Sequence, residues 1–138
     1  MLTGRGAVPR RILLVEDDAD INATLREMLE EEGYEVIATP NGRAALEALE
    51  QLPAPTLVLL DVEMPWMDGF DFLNHLRQDA RHAEDPVLVV TASRRTPPEA
   101  AEVLHKPFDF DVLLAAIQRH CGGTQRPTWR AETELHAI

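Results

Sequence analysis

The sequence predicts an α/β fold, a doubly wound parallel sheet with helices on both faces. Three observations point to it. Three short runs, "RILLVE" (11–16), "TLVLLD" (56–61) and "VLVVTA" (87–92), are apolar on consecutive positions, as strands buried on both faces are. Stretches with apolar residues at helical spacing lie between the runs. The connections are short, and parallel neighbours need the right-handed crossovers that such helices supply.

Taken in order, the first run leads into a helix carrying Ile21, Leu25, Met28 and Leu29, which stops at Gly33 after an acidic stretch. A weaker strand candidate, "EVIAT" (35–39), follows. Asn41-Gly42 precedes a second helix with Ala45, Leu46, Leu49 and Leu52. The run at 56–61 ends on Asp61, and a Met67-Asp68-Gly69 turn precedes a helix with Phe70, Leu73 and Leu76. After the run at 87–92, "SRRTPPEAAE" (93–102) has room for at most a short helix, begun at Pro97-Pro98. "EVLHK" (102–106) is a second weaker strand. Phe110, Leu113, Leu114 and Ile117 form the last helix, stopped by Gly122-Gly123. The expected division is an N-terminal extension (1–9), one domain (10–121) and a Gly/Pro-punctuated tail (122–138).

The 138 residues suffice for a single core without disulfides or metal staples. Hydrophobic content of 45% with 27% charged residues is that of a globular chain, not a disordered one. The net charge of −11 leaves no basic stripe to neutralise phosphates, which argues against nucleic acid as a partner. Much of the acidic excess reads as a solvated helix face, "REMLEEEGYE". The lone Cys121 can form no intrachain disulfide, and no Cys/His metal spacing occurs. No signal-peptide or membrane-spanning run is visible, so a cytoplasmic location is expected.

In a doubly wound sheet, ligands bind outside the carboxyl ends of the strands. The predicted strands end on Glu16-Asp17-Asp18, Asp61, Thr91-Ala92-Ser93 and Lys106-Pro107. Crowded carboxylates repel one another unless a cation sits among them. Oxygen ligands suit Mg²⁺, which binds together with phosphate. A lysine and a hydroxyl at the same edge can neutralise and hydrogen-bond phosphoryl oxygens. A carboxylate can attack phosphorus to give an acyl phosphate. The residues therefore suggest Mg²⁺-assisted phosphoryl transfer onto an aspartate.

"ILLVEDDADI", "LVLLDVEMPWMDGFDFL", "VVTAS" and "HKPF" closely resemble the receiver domain of two-component response regulators, over roughly residues 10–121. The resemblance implies a flavodoxin-like five-stranded sheet of order 2-1-3-4-5. It implies Asp61 as phospho-acceptor and direct Mg²⁺ ligand, with Asp17 as a second direct ligand. It further implies the Glu63 backbone oxygen as a ligand and Glu16 as one acting through water. Thr91 would hydrogen-bond the phosphoryl group and Lys106 would pair with it, ahead of a cis bond to Pro107. The implied partners are a sensor histidine kinase or phosphotransfer protein and an unnamed downstream protein, with the chain a monomer or weak dimer. It reads as a stand-alone receiver, its tail too short for an output domain.

Asp18, one place past the acid pair, reads as a helix N-cap and not a ligand. Asp68-Gly69 reads as a turn, Trp66 as packing on Pro65, and the histidines and Cys121 carry no pattern. His105 is expected to point away from Lys106, as strand neighbours do.

The sequence departs from the family at two points. Val103 stands where receivers usually carry Tyr or Phe. The segment between Thr91 and Lys106 is shorter by roughly seven residues, about two helical turns. Activation is therefore expected to reposition Thr91 and the 93–102 loop without an aromatic flip. The competing readings are a phospho-independent adaptor with the same fold and a Mg²⁺-dependent hydrolase with an aspartyl-phosphate intermediate. The hydrolase would need a substrate cap larger than any insertion here.

Overall fold

The computed structural model describes residues 9–61, 69–92, 94, 97 and 100–121. Five strands alternate with helices: β1 (Arg11–Val15), α1 (Ala19–Glu31), β2 (Glu35–Thr39), α2 (Gly42–Leu49), β3 (Leu57–Asp61), α3 (Gly69–Gln78), β4 (Val87–Thr91), β5 (Glu102–His105) and α4 (Phe110–His120). All four pairings are parallel, and the order is β2-β1-β3-β4-β5, as expected.

Side chains alternate between the sheet's two faces. Ile12, Leu14, Leu57, Leu59, Leu88 and Val90 meet Leu25 and Leu29 of α1 and Leu113, Leu114 and Ile117 of α4. Leu13, Val15, Val58, Leu60, Val87 and Val89 meet Ala45 and Leu49 of α2 and Phe72, Leu73 and Leu76 of α3. Every residue of β3 and β4 is buried, which explains their unbroken apolar runs. The edge strands β2 and β5 are only partly covered, and their sequences are correspondingly mixed.

Local signals set the helix limits. Asp18 caps α1, its side chain accepting from the N–H groups of Asp20 and Ile21 at 3.0 and 3.1 Å. Gly33 follows α1 at φ 98°, a left-handed conformation that favours glycine, and Tyr34 N–H reaches back to Leu29 O at 3.2 Å. Asn41 caps α2 by accepting from Ala44 N–H at 2.8 Å. Gly69, expected in a turn, is the first residue of α3, while Asp68 lies outside the described residues.

Between β4 and β5 the described residues form a turn and no helix. Ala100 N–H donates to Pro97 O at 3.4 Å, and Ala101 N–H to Val87 O at 2.8 Å. Pro98 and its neighbour Glu99 lie outside the described residues, as do 1–8 of the expected N-terminal extension and the expected tail, 122–138. Val103 is half-buried and packs on the α2/α3 side of the core.

The edge opposite the strands' carboxyl ends holds a polar knot that the sequence reading missed. His82 is completely buried, its Nδ1 2.5 Å from Asp85 Oδ2 and its Nε2 3.0 Å from Leu52 O. Arg81 donates to Leu49 O and Glu50 O, and Arg77 to Ala83 O and Asp85 O. Two side chains from the α3–β4 connection thus meet carbonyls at the end of α2, where no basic residue sits in the last turn. Burial pushes the Asp85 carboxyl above its usual range, against the hydrogen bond from His82. Among the described residues, no helix is long and apolar enough to cross a membrane.

Candidate functional site

The sheet order brings the predicted residues to one edge. β1 and β3 are adjacent, so Glu16, one residue past β1, lies beside Asp61, the last residue of β3. β4 separates β3 from β5. Lys106, one residue past β5, reaches back across β4, its N–H bonded to Thr91 O at 2.9 Å. Its Nζ stands 3.6 Å from Glu16 Oε1 and 3.7 Å from Asp61 Oδ2. Neighbouring strands lie about 4.8 Å apart, so a short cation could not bridge this gap. The four-carbon stem of lysine can. The Lys106-Pro107 bond is cis, as expected.

Glu16, Asp17 and Asp61 each offer a carboxylate oxygen, and these atoms lie within 4.8 Å of one another. Glu16 and Asp61 are buried, whereas Asp17 is exposed. The two Glu16 oxygens differ. Oε2 accepts from Asp18 N–H at 3.0 Å, while Oε1 is buried and accepts no hydrogen bond among the described residues. Burial holds the Glu16 carboxyl above its usual range. The Asp18 N–H and Lys106 oppose that shift, and the charges of Asp61 and Asp17 add to it. Three hard carboxylate donors, one of them with a buried oxygen that accepts no hydrogen bond among the described residues, suit a divalent cation such as Mg²⁺.

Thr91 is fully buried at the end of β4, one residue beyond the Asp61–Val90 pairing. His105 is exposed, consistent with its pointing away from the cluster. Asp18 caps α1 and its side chain is spent there. Glu63, Pro65 and Trp66 lie outside the described residues. The sequence reading missed Asn22, whose amide Nδ2 donates to Glu16 O at 3.0 Å and Thr39 O at 3.1 Å. No spacing pattern marks it, because both its partners are backbone carbonyls.

The family model of the response regulator receiver domain matches residues 12–118. Transcriptional regulatory protein PdtaR of Mycobacterium tuberculosis is 42% identical over 120 residues, covering 81% of this chain and 57% of that protein. An uncharacterized 14.6 kDa protein of Leptolyngbya boryana is 37% identical over 117 residues, 80% of this chain and 88% of that one. CpxR of Escherichia coli is 37% identical over 115 residues, 78% of this chain and 47% of its own length. The chain thus spans about half the length of PdtaR and of CpxR. Among solved structures, chemotaxis protein CheY4 of Vibrio cholerae superimposes with a TM-score of 0.72 at 31% identity, over 83% of this chain and 99% of that one. Response regulator TrrA of Thermotoga maritima, solved with Mg²⁺-BeF, gives 0.69 at 32% identity, over 79% and 96%. With the 2-1-3-4-5 sheet and the acid cluster at its carboxyl edge, these matches make the chain a member of the response regulator receiver domain family.

Proposed function

We propose that this domain accepts a phosphoryl group on Asp61, from the phosphohistidine of a sensor histidine kinase or phosphotransfer protein, in a Mg²⁺-dependent step. The observation that carries the reading is the meeting of three carboxylates with the Lys106 ammonium at the end of β3. When bound, Mg²⁺ neutralises crowded carboxylate and phosphoryl oxygens. Asp17, Asp61 and the Glu63 backbone oxygen would hold it directly, and Glu16 through water.

The chain's own residues do the rest. An Asp61 carboxylate oxygen attacks phosphorus as the P–N bond to the donor imidazole breaks. The imidazole keeps that electron pair, and Asp61 gains an acyl phosphate. Lys106, already poised between Glu16 and Asp61, pairs with a phosphoryl oxygen. Thr91, at the end of the neighbouring strand, supplies a hydroxyl to another. The product adds charge and acceptor oxygens beside the β4–β5 connection and biases its conformation. With Val103 in place of an aromatic, that response centres on Thr91 and residues 93–102.

The signal passes by protein contact or onward relay, and a kinase partner implies action in the cytoplasm. The transcriptional roles in the relatives' names belong to those longer proteins. The test is acetyl phosphate with MgCl2, read by intact-protein mass. The wild type is expected to gain one phosphoryl group and Asp61→Asn none. No gain in the wild type would overturn the reading and favour a phospho-independent adaptor. Multiple turnovers on small phosphate esters would favour a hydrolase.

A further inference from the structure

We propose that Asn22 is a positioning residue for the acid cluster, its side-chain amide fixing the backbone from which Glu16 and Asp17 face a divalent cation. The inference rests on reading that cluster as a Mg²⁺ site. Asn22 lies on α1 and is half-buried. Its Nδ2 donates to the carbonyls of Glu16 and Thr39, at the carboxyl ends of the adjacent strands β1 and β2. Both partners are pure acceptors, so the amide orientation is forced, with nitrogen and not oxygen facing them.

The geometric consequence follows from peptide planarity. The Glu16 carbonyl and the Asp17 nitrogen belong to one planar unit. Holding that carbonyl fixes the plane and the direction in which the Asp17 Cα departs. Two other side chains hold the same turn from within it: Glu16 Oε2 accepts from Asp18 N–H, and Asp18 Oδ1 accepts from Asp20 and Ile21 N–H. Asn22 acts from inside the helix, so it ties the position of α1 to that of the acid pair. Asparagine is a weak helix former, and an ordinary solvated position would favour another residue. The double carbonyl bond supplies a reason for its presence. Partners that orient ligands in this way commonly alter metal affinity without touching the ion.

The test compares wild type, Asn22→Ala, Asn22→Ser and Thr56→Val. The last removes a side-chain hydrogen bond to Pro53 O at the opposite edge of the sheet. Mg²⁺ affinity is measured by calorimetric titration with MgCl2, and the thermal midpoint in EDTA. Asn22→Ala is expected to weaken Mg²⁺ binding about 10- to 100-fold. Asn22→Ser, with one donor left, is expected between Asn22→Ala and wild type. Thr56→Val is expected to lower the midpoint and leave the affinity unchanged. If Asn22→Ala does not fold, Asn22→Ser decides against Thr56→Val. Wild-type affinity in the Asn22 variants, or an equal loss in Thr56→Val, would overturn the positioning role. A wild type that binds no Mg²⁺ would instead overturn the metal reading beneath it.

Discussion

Replacing Glu16 by Gln is expected to stabilise the metal-free domain and at the same time blunt its response to Mg²⁺. Glu16 lies within 4.8 Å of carboxylate oxygens on Asp17 and Asp61. At an effective dielectric of about 20, unit charges that far apart repel by about 3.5 kcal/mol. Asp17 is exposed, and water screens its share to roughly 1 kcal/mol. Lys106, 3.6 Å away, offsets this with about 4.6 kcal/mol of attraction on the same scale. The Coulomb terms therefore nearly cancel. Desolvation remains, at several kcal/mol for a buried ion, reduced by about 2 kcal/mol through the Asp18 N–H bond. Glutamine keeps an acceptor for Asp18 and carries no charge. A gain of about 1–2 kcal/mol follows, or about 3–8 °C in midpoint for a domain of this size.

Mg²⁺ narrows the difference. At a concentration 100 times the dissociation constant, binding stabilises the native state by about 2.7 kcal/mol. A ten-fold weaker site would retain only about 1.4 kcal/mol of that. Thermal melts of both proteins in EDTA and across a MgCl2 series measure both effects. A variant less stable than wild type in EDTA, or one that gains equally from Mg²⁺, would refute the account of Glu16 as a buried acid whose desolvation its neighbours only partly offset.

Lys106→Met is expected to abolish most of the phosphorylation-induced change while leaving phosphoryl uptake measurable, because it removes the phosphoryl partner and not the nucleophile; amide shifts of the acetyl-phosphate-treated protein check it, and wild-type shifts would count against the role. His82→Ala, which breaks the buried pair with Asp85 and a bond to Leu52 O just past α2, is expected to cost about 3–5 kcal/mol in urea unfolding, with Mg²⁺ affinity unchanged. Glu102 is held below its usual range chiefly by its hydrogen bond to Arg119, with His120 assisting. Its folded-state pKa is depressed, so its stabilisation is present above the ordinary value of 4.5 and lost as pH falls through the folded value. Glu102→Gln is accordingly expected to melt below wild type at pH 7 and to converge with it toward pH 3, as read by thermal melts; an unchanging gap would exclude the ion pair as its source.

The strands that sequence reading found most readily are the central ones. In β1, β3 and β4, burial on both faces enforces consecutive apolar residues. β2 and β5 were weaker because an edge strand has one sheet neighbour and partial cover. Asp18 and Asn41 were readable as caps or helix starts because capping depends on neighbours only two or three residues away. The missed residues depend on distant backbone. Asn22 bonds a carbonyl 17 positions later, and His82 one 30 positions earlier. Each looks like an ordinary polar residue in its own surroundings, and no local rule announces an unpaired carbonyl elsewhere.

The alternation of strands and helices, the carboxylates at strand ends and the motifs that mark the family can be read along the chain, because each is written in side chains close to one another in it. Folding alone brings Lys106 across β4 to sit between Glu16 and Asp61, leaves Glu16 Oε1 without a hydrogen bond among the described residues, and sets the Asn22 amide on the Glu16 carbonyl. Those relations depend on strand spacing, side-chain reach and the direction of backbone carbonyls. None of these exists until the sheet has closed around its two cores.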